Sequence, residues 1–166
     1  MAIKNFWSLQ VGEVIVADLI RKHLGKDYEI FIPLNNQLKD IDLVVINLKT
    51  KKIATVQVKE SREYAVGEGD GWFRIDEHKI KNKVADFYIF MIYSIQENET
   101  KLKMATKTLI IPSEVLLEKS KQKTARKGVY TYYFEIKGGK AQEDREDTKN
   151  PVDYSEYINN YDLLKV

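Results

Sequence analysis

Asp42, Gln57 and Lys59 carry oxygen and amine groups at a spacing that suits phosphodiester hydrolysis. A carboxylate with neighbouring oxygens holds Mg²⁺ or Mn²⁺, and the ion polarises the phosphate and lowers the pKa of a bound water. A lysine beside it orients that water or steadies the charge growing on the phosphate. On this reading Asp42 is the main metal ligand. The Gln57 side-chain oxygen and the Val58 backbone carbonyl stand beside it, and Lys59 assists the attacking water.

The element that must gather these residues is a hairpin, "IDLVVIN" out and "KIATVQV" back, around the lysine-rich turn "NLKTKK". Side chains alternate across a strand, so Ile53, Thr55, Gln57 and Lys59 share one face while Ala54, Val56 and Val58 share the other. A tight turn brings Asp42, at the start of the first strand, beside Gln57-Val58-Lys59 at the end of the second. Register decides the rest. With Thr50 at the turn centre Asp42 faces Val58; a one-residue shift or a bulge sets it opposite Gln57 or Lys59, the arrangement expected here.

Around the hairpin, "VGEVIVADLIRKHLGK" has Val16, Ala17, Ile20 and Leu24 at helical spacing and Gly25 as a stop. "DYEIFIP" reads as a short strand. "KESREYAVGEGDG" reads as a flexible loop, and "WFRI" as a strand leading into a short helix that Asp76 caps. "DFYIFMIYS" is apolar enough for a strand buried on both faces. "TLIIP" is another strand, with Ser113 capping the helix after it, and "VYTYYFEI" is a further strand. "KGGKAQEDREDTKNPVD" reads as an exposed, mobile loop, and "YSEYINNYDLLKV" as a closing helix. These elements predict one mixed α/β domain over 1–166, with helices covering the sheet.

"DLVVI…IATVQVKES" resembles the core of the PD-(D/E)XK nuclease superfamily, in which an Asp at one strand's start precedes Glu-x-Lys or Gln-x-Lys near the end of the next. Archaeal Holliday-junction resolvases and small endonuclease-like proteins are the nearest comparisons. The resemblance implies a restriction-endonuclease-like fold, a helix–strand–hairpin–helix–strand core with a mixed central sheet, and a metal-dependent endonuclease acting on DNA. It also implies a homodimer, since resolvases make two cuts with two sites. Many members carry a metal-reaching Glu on the first helix, and Glu13 is the matching residue. Gln57 departs from the commoner acid; it brings an oxygen without a charge. The alternative is therefore a catalytically inactive protein of the same fold that binds nucleic acid or a protein partner.

The composition fits these expectations without selecting among them. The 166 residues are 43% hydrophobic and 31% charged, with a formal net charge of only +2. Nucleic-acid binding must therefore come from local clustering. Arg62, Arg74 and Lys79, near the hairpin in sequence, are the expected phosphate contacts. The lysines of "KTKK", "HKIKNK" and "KSKQKTARK" read as solvated faces. Trp72 and Phe73 read as core residues that could otherwise stack on a base. No cysteine is present, which excludes disulfides and thiolate metal sites and suits a reducing compartment. No run approaches the ~20 apolar residues of a membrane helix. The expectation is a cytoplasmic protein.

Overall fold

A computed structural model describes residues 11–33, 40–64, 69–98, 101–143 and 150–166. Helix α1 (Val11–Leu24) leads into strand β1 (Tyr28–Phe31) and then the hairpin of β2 (Leu43–Asn47) and β3 (Ile53–Arg62). After it come β4 (Asp70–Asp76), the short helix α2 (Glu77–Lys81), the long hairpin of β5 (Phe87–Asn98) and β6 (Lys101–Pro112), and α3 (Ser113–Ser120). The chain closes with β7 (Val129–Lys137), β8 (Lys140–Glu143), the two-residue β9 (Val152–Asp153) and two short 3-10 turns.

The strands form two sheets. One has the order β1-β2-β3-β5-β6, the other β4-β7-β8-β9. Every pairing is antiparallel except β3 with β5. The first sheet is thus mixed, and its parallel step is bridged by β4 and α2, as a parallel pair requires. Asp86 fixes that step: its carboxylate accepts from the Thr55 N–H at 2.8 Å and the Thr55 hydroxyl at 2.7 Å.

The two faces of the five-stranded sheet are covered differently. On one, Val16 and Ile20 of α1 pack with Leu43, Val45, Val56, Val58 and Ile89, and Tyr161 and Leu164 of the last 3-10 turn join them. On the other, Tyr88, Phe90 and Ile92 meet Phe73, Tyr132 and Phe134 of the second sheet in an aromatic core. The layers are helix, sheet, sheet. A large dry core on both sides of one sheet is the main stabiliser, at roughly 25 cal/mol per Å² of apolar surface removed from water.

Several expectations are corrected. The segment after Gly138 does not run as an open loop: Gly138 and Gly139, both at positive φ, turn the chain tightly, and Lys140–Glu143 returns as β8. It is drawn in because Glu143 is buried and paired with Lys123 at 2.9 Å. Residues 144–149 of that stretch, and 65–68 of the glycine-rich loop, lie outside the described residues. "KESR" belongs to β3, whose ladder with β5 runs through Arg62 opposite Tyr93. The closing helix is two 3-10 turns, interrupted where Asn159 takes φ +49° and its side chain accepts from Thr108. Ser113 is the first residue of α3 and not its cap; its hydroxyl instead donates to the Ala85 carbonyl. Asp76 occupies the cap position of α2 but makes no side-chain cap bond.

Candidate functional site

The hairpin turn determines where Asp42 falls. The Asn47 side-chain oxygen accepts from the N–H groups of Lys49 and Thr50 at 3.0 and 3.1 Å, and Lys51 takes φ +61°. This locally bonded turn pairs Ile46 with Ile53 and Leu43 with Val56. The turn centre therefore lies between Lys49 and Thr50, and not on Thr50. At the far end the Asp42 N–H still bonds the Val56 carbonyl at 2.9 Å. Two residues, Asp42 and Leu43, thus address one, the pattern of a β-bulge. The bulge turns the Asp42 carboxylate along β3, where it accepts the Val58 N–H at 2.8 Å. Within an extended residue N–H and C=O point the same way, so the Val58 carbonyl lies on the Asp42 side too.

Gln57 and Lys59 project from the other face of β3 than Val56 and Val58, toward the second sheet. Gln57 lies beside Tyr88, and Lys59 beside Phe90. Gln57 is only 2% exposed, and its side-chain oxygen has no hydrogen-bond partner; neither has the Tyr88 hydroxyl. Two adjacent buried polar atoms without partners cost stability, of order 1–3 kcal/mol each. Burial and the nearby Asp40 and Asp42 push the Tyr88 hydroxyl pKa up. Burial lowers the Lys59 pKa; Asp42 is the strongest charge opposing that shift, while Lys79 reinforces it. Among the described residues Lys59 has no ion-pair partner.

Lys59 opens into a cleft of about 150 Å³ that Arg74, Ile75, Asp76, Lys79 and Val129 also line. Lys79, from α2, forms an ion pair with Asp40 and lies 3.7 Å from Asp76. Asp40 sits in a turn at φ +74°, two residues before Asp42, and tethers α2 to the hairpin.

The structure sets Asp42 beside Gln57, Val58 and Lys59, and of the three expected phosphate contacts it places Arg74 and Lys79 in the Lys59 cleft. Arg62, exposed at the end of β3, lines a second cleft with Glu63, Tyr64, Ser94 and Ile95. Glu13 is buried on the α1 stripe with Val16 and Ile20, the stripe that covers the Val56 and Val58 face. Gln57 and Lys59 project from the opposite face. The neighbouring Gly12 packs so closely on Glu60, one residue past Lys59, that a methyl group there would collide with its carboxylate. The first turn of α1 therefore stands at the same end of β3 as the site.

Other polar residues are engaged locally: His23 bonds the Leu19 carbonyl and stacks on Tyr161, and His78 is exposed. Of the lysine clusters expected as solvated faces, Lys49, Lys81, Lys83 and Lys121 sit in surface ion pairs, but Lys123 is buried against Glu143. Phe73 fills the core as expected, but Trp72 is 41% exposed. Tyr88 was not singled out, because within "DFYIFMIYS" its hydroxyl looks like any aromatic core position.

As a metal site the cluster fits in part. It offers the Asp42 carboxylate, the Val58 carbonyl and an unpartnered Gln57 oxygen, all hard oxygen donors of the kind Mg²⁺ and Mn²⁺ take. No group of three or more Asp, Glu, His or Cys residues able to hold a metal ion is found among the described residues. Compared with protein-family models, curated proteins and solved structures, the chain gives no match. No helix among the described residues is long and apolar enough to cross a membrane.

Proposed function

We propose that this protein is a metal-dependent nuclease of the restriction-endonuclease-like fold, hydrolysing DNA phosphodiester bonds in the Lys59 cleft. The observation that carries the reading is the unpartnered Gln57 oxygen, buried one residue from the Val58 N–H that holds the Asp42 carboxylate. A buried amide oxygen without a donor calls for an electrophile, and a hydrated divalent cation is one. Asp42, Gln57 and the Val58 carbonyl would hold Mg²⁺ or Mn²⁺, while Glu13 stands at the same end of β3 on its other face. The bound ion supplies Lewis-acid polarisation of the phosphate and a more acidic water.

The chain's own residues do the rest. Lys59, deprived of an ion-pair partner, presents its amine to the cleft, where an anionic phosphate satisfies it. Its lowered pKa also lets it take or return a proton of an attacking water more readily than an ordinary lysine. Arg74 and Lys79 face the same cleft and hold the flanking phosphates; Lys79 exchanges Asp40 for substrate as it does so.

The test incubates labelled single-stranded, duplex and branched DNA with Mg²⁺ or Mn²⁺ and compares wild type with Lys59→Ala. Cleavage by wild type that Lys59→Ala loses supports the proposal. Cleavage that persists in the variant, or none by either protein, contradicts it. A second reading is a DNA-binding protein of this fold without catalysis; by analogy with the resolvases either would act as a homodimer. The uncharged Gln57 and the small acid count favour it; salt-dependent DNA retention without metal-dependent cleavage is its signature.

A further inference from the structure

The outer face of β4 contributes Arg74 to the cleft. Side chains alternate along this strand: Phe73 and Ile75 point into the core, while Trp72 and Arg74 point out. Arg74 lines the Lys59 cleft. Trp72 stands two residues further along the same face, about 7 Å away at strand spacing. The Trp72 backbone N–H donates to the Ser61 hydroxyl at 3.0 Å, and Ser61 shares its β3 face with Lys59. Trp72 is therefore fixed one side-chain step beyond Lys59 on both strands. A second exposed ring follows: Tyr64, 78% exposed, whose N–H bonds the Asp70 carboxylate at 3.0 Å.

Exposed aromatics interleaved with arginines are the chemistry of a single-stranded nucleic-acid track. Rings stack on unpaired bases whatever their identity, and guanidinium groups follow the backbone. A base within a duplex is already stacked and paired, so its face is closed to Trp72. From this geometry we infer that Trp72 is the stacking platform for an unpaired nucleotide adjoining the phosphate in the Lys59 cleft, so the ligand is a single-stranded DNA segment or overhang. The inference rests on the nuclease reading of that cleft and names its substrate class.

The experiment measures binding without cleavage. In chelator-containing, low-salt buffer, fluorescence anisotropy follows a labelled oligothymidylate and a blunt duplex of equal length, with wild type, Trp72→Ala, Trp72→Phe and Lys59→Met. Wild type should prefer the oligothymidylate. Trp72→Ala should weaken that binding about tenfold and leave the duplex unchanged, whereas Trp72→Phe, which keeps a ring, should retain most of it. Equal losses on both ligands, no loss in Trp72→Ala, or failure of wild type to bind the oligothymidylate would overturn the inference. Cleavage with Mn²⁺, run in parallel, separates the two claims. Lys59-dependent cleavage indifferent to Trp72 removes the platform alone. A Trp72-dependent strand preference without cleavage removes the nuclease and leaves a single-strand binder.

Discussion

Lys59 and Lys123 both run into the protein's interior, and they are treated in opposite ways. Lys123 follows α3 with its side chain 4% exposed and gives two hydrogen bonds of 2.9 Å to Glu143, itself 3% exposed. Glu143 also accepts the Tyr133 N–H, and the Lys123 amine lies over the Tyr132 ring. Every charge there is answered. Lys59, half-buried at the end of β3, has Asp42 nearby but no ion pair among the described residues, and the neighbouring Gln57 oxygen and Tyr88 hydroxyl find no partner among them either. A charge buried with its partner ties elements together. A charge buried without one is a standing cost, and such costs collect where a ligand relieves them.

The comparison breaks most visibly in stability. Removing one member of the satisfied pair, as in Lys123→Ala, strands a buried carboxylate and should cost about 3–5 kcal/mol, read as a lower urea midpoint. Replacing both, as in Lys123→Met with Glu143→Leu, should recover most of that. Lys59→Met, by contrast, should leave the midpoint unchanged or higher while cutting DNA cleavage by about a hundredfold or more. A stability loss for Lys59→Met as large as that of Lys123→Ala would erase the distinction between the two lysines.

The pH dependence sharpens the same point. A lysine whose folded-state pKa lies below its unfolded value binds fewer protons in the folded state between the two, so stability rises with pH across that window. Wild type should therefore gain stability relative to Lys59→Met as pH climbs toward the ordinary lysine value of 10.5. Paired denaturation curves at neutral and alkaline pH would show the gap between them closing or reversing. A gap that widens against wild type would contradict the lowered pKa.

The smallest effect belongs to Tyr88→Phe. Its hydroxyl has no partner among the described residues, so removing it should leave stability unchanged or raise it by up to ~1 kcal/mol. A clear loss would mean the hydroxyl is bonded in solution, by Gln57 or by water.

The α1 stripe, the hairpin and the core strands are legible in the sequence, because periodicity and β-branched runs report burial directly. The parts that escaped depend on single side chains. Asn47 sets the hairpin register by bonding the turn N–H groups, and nothing in "NLKTKK" announces which of two centres it selects. Glu143 pulls a polar stretch into β8 through a lysine twenty residues earlier, a pairing that composition cannot show. Arg74 and Lys79 were expected near Lys59 from their closeness in sequence, but Arg62, expected with them, lines a different cleft, because the direction it takes from the end of β3 is not set by sequence distance. Trp72 was read inward because tryptophan usually is, although the alternation Gly-Trp-Phe-Arg-Ile places it outward once Phe73 is known to be core.

Metal binding at the Asp42–Gln57 cluster tests the central claim most directly. Mn²⁺ titration followed by electron paramagnetic resonance compares wild type with Asp42→Asn, which can still accept the Val58 N–H, and with Gln57→Glu, which restores a third charge. The account predicts that Asp42→Asn weakens Mn²⁺ binding by about tenfold or more and that Gln57→Glu tightens it. Identical titrations for all three proteins would contradict it.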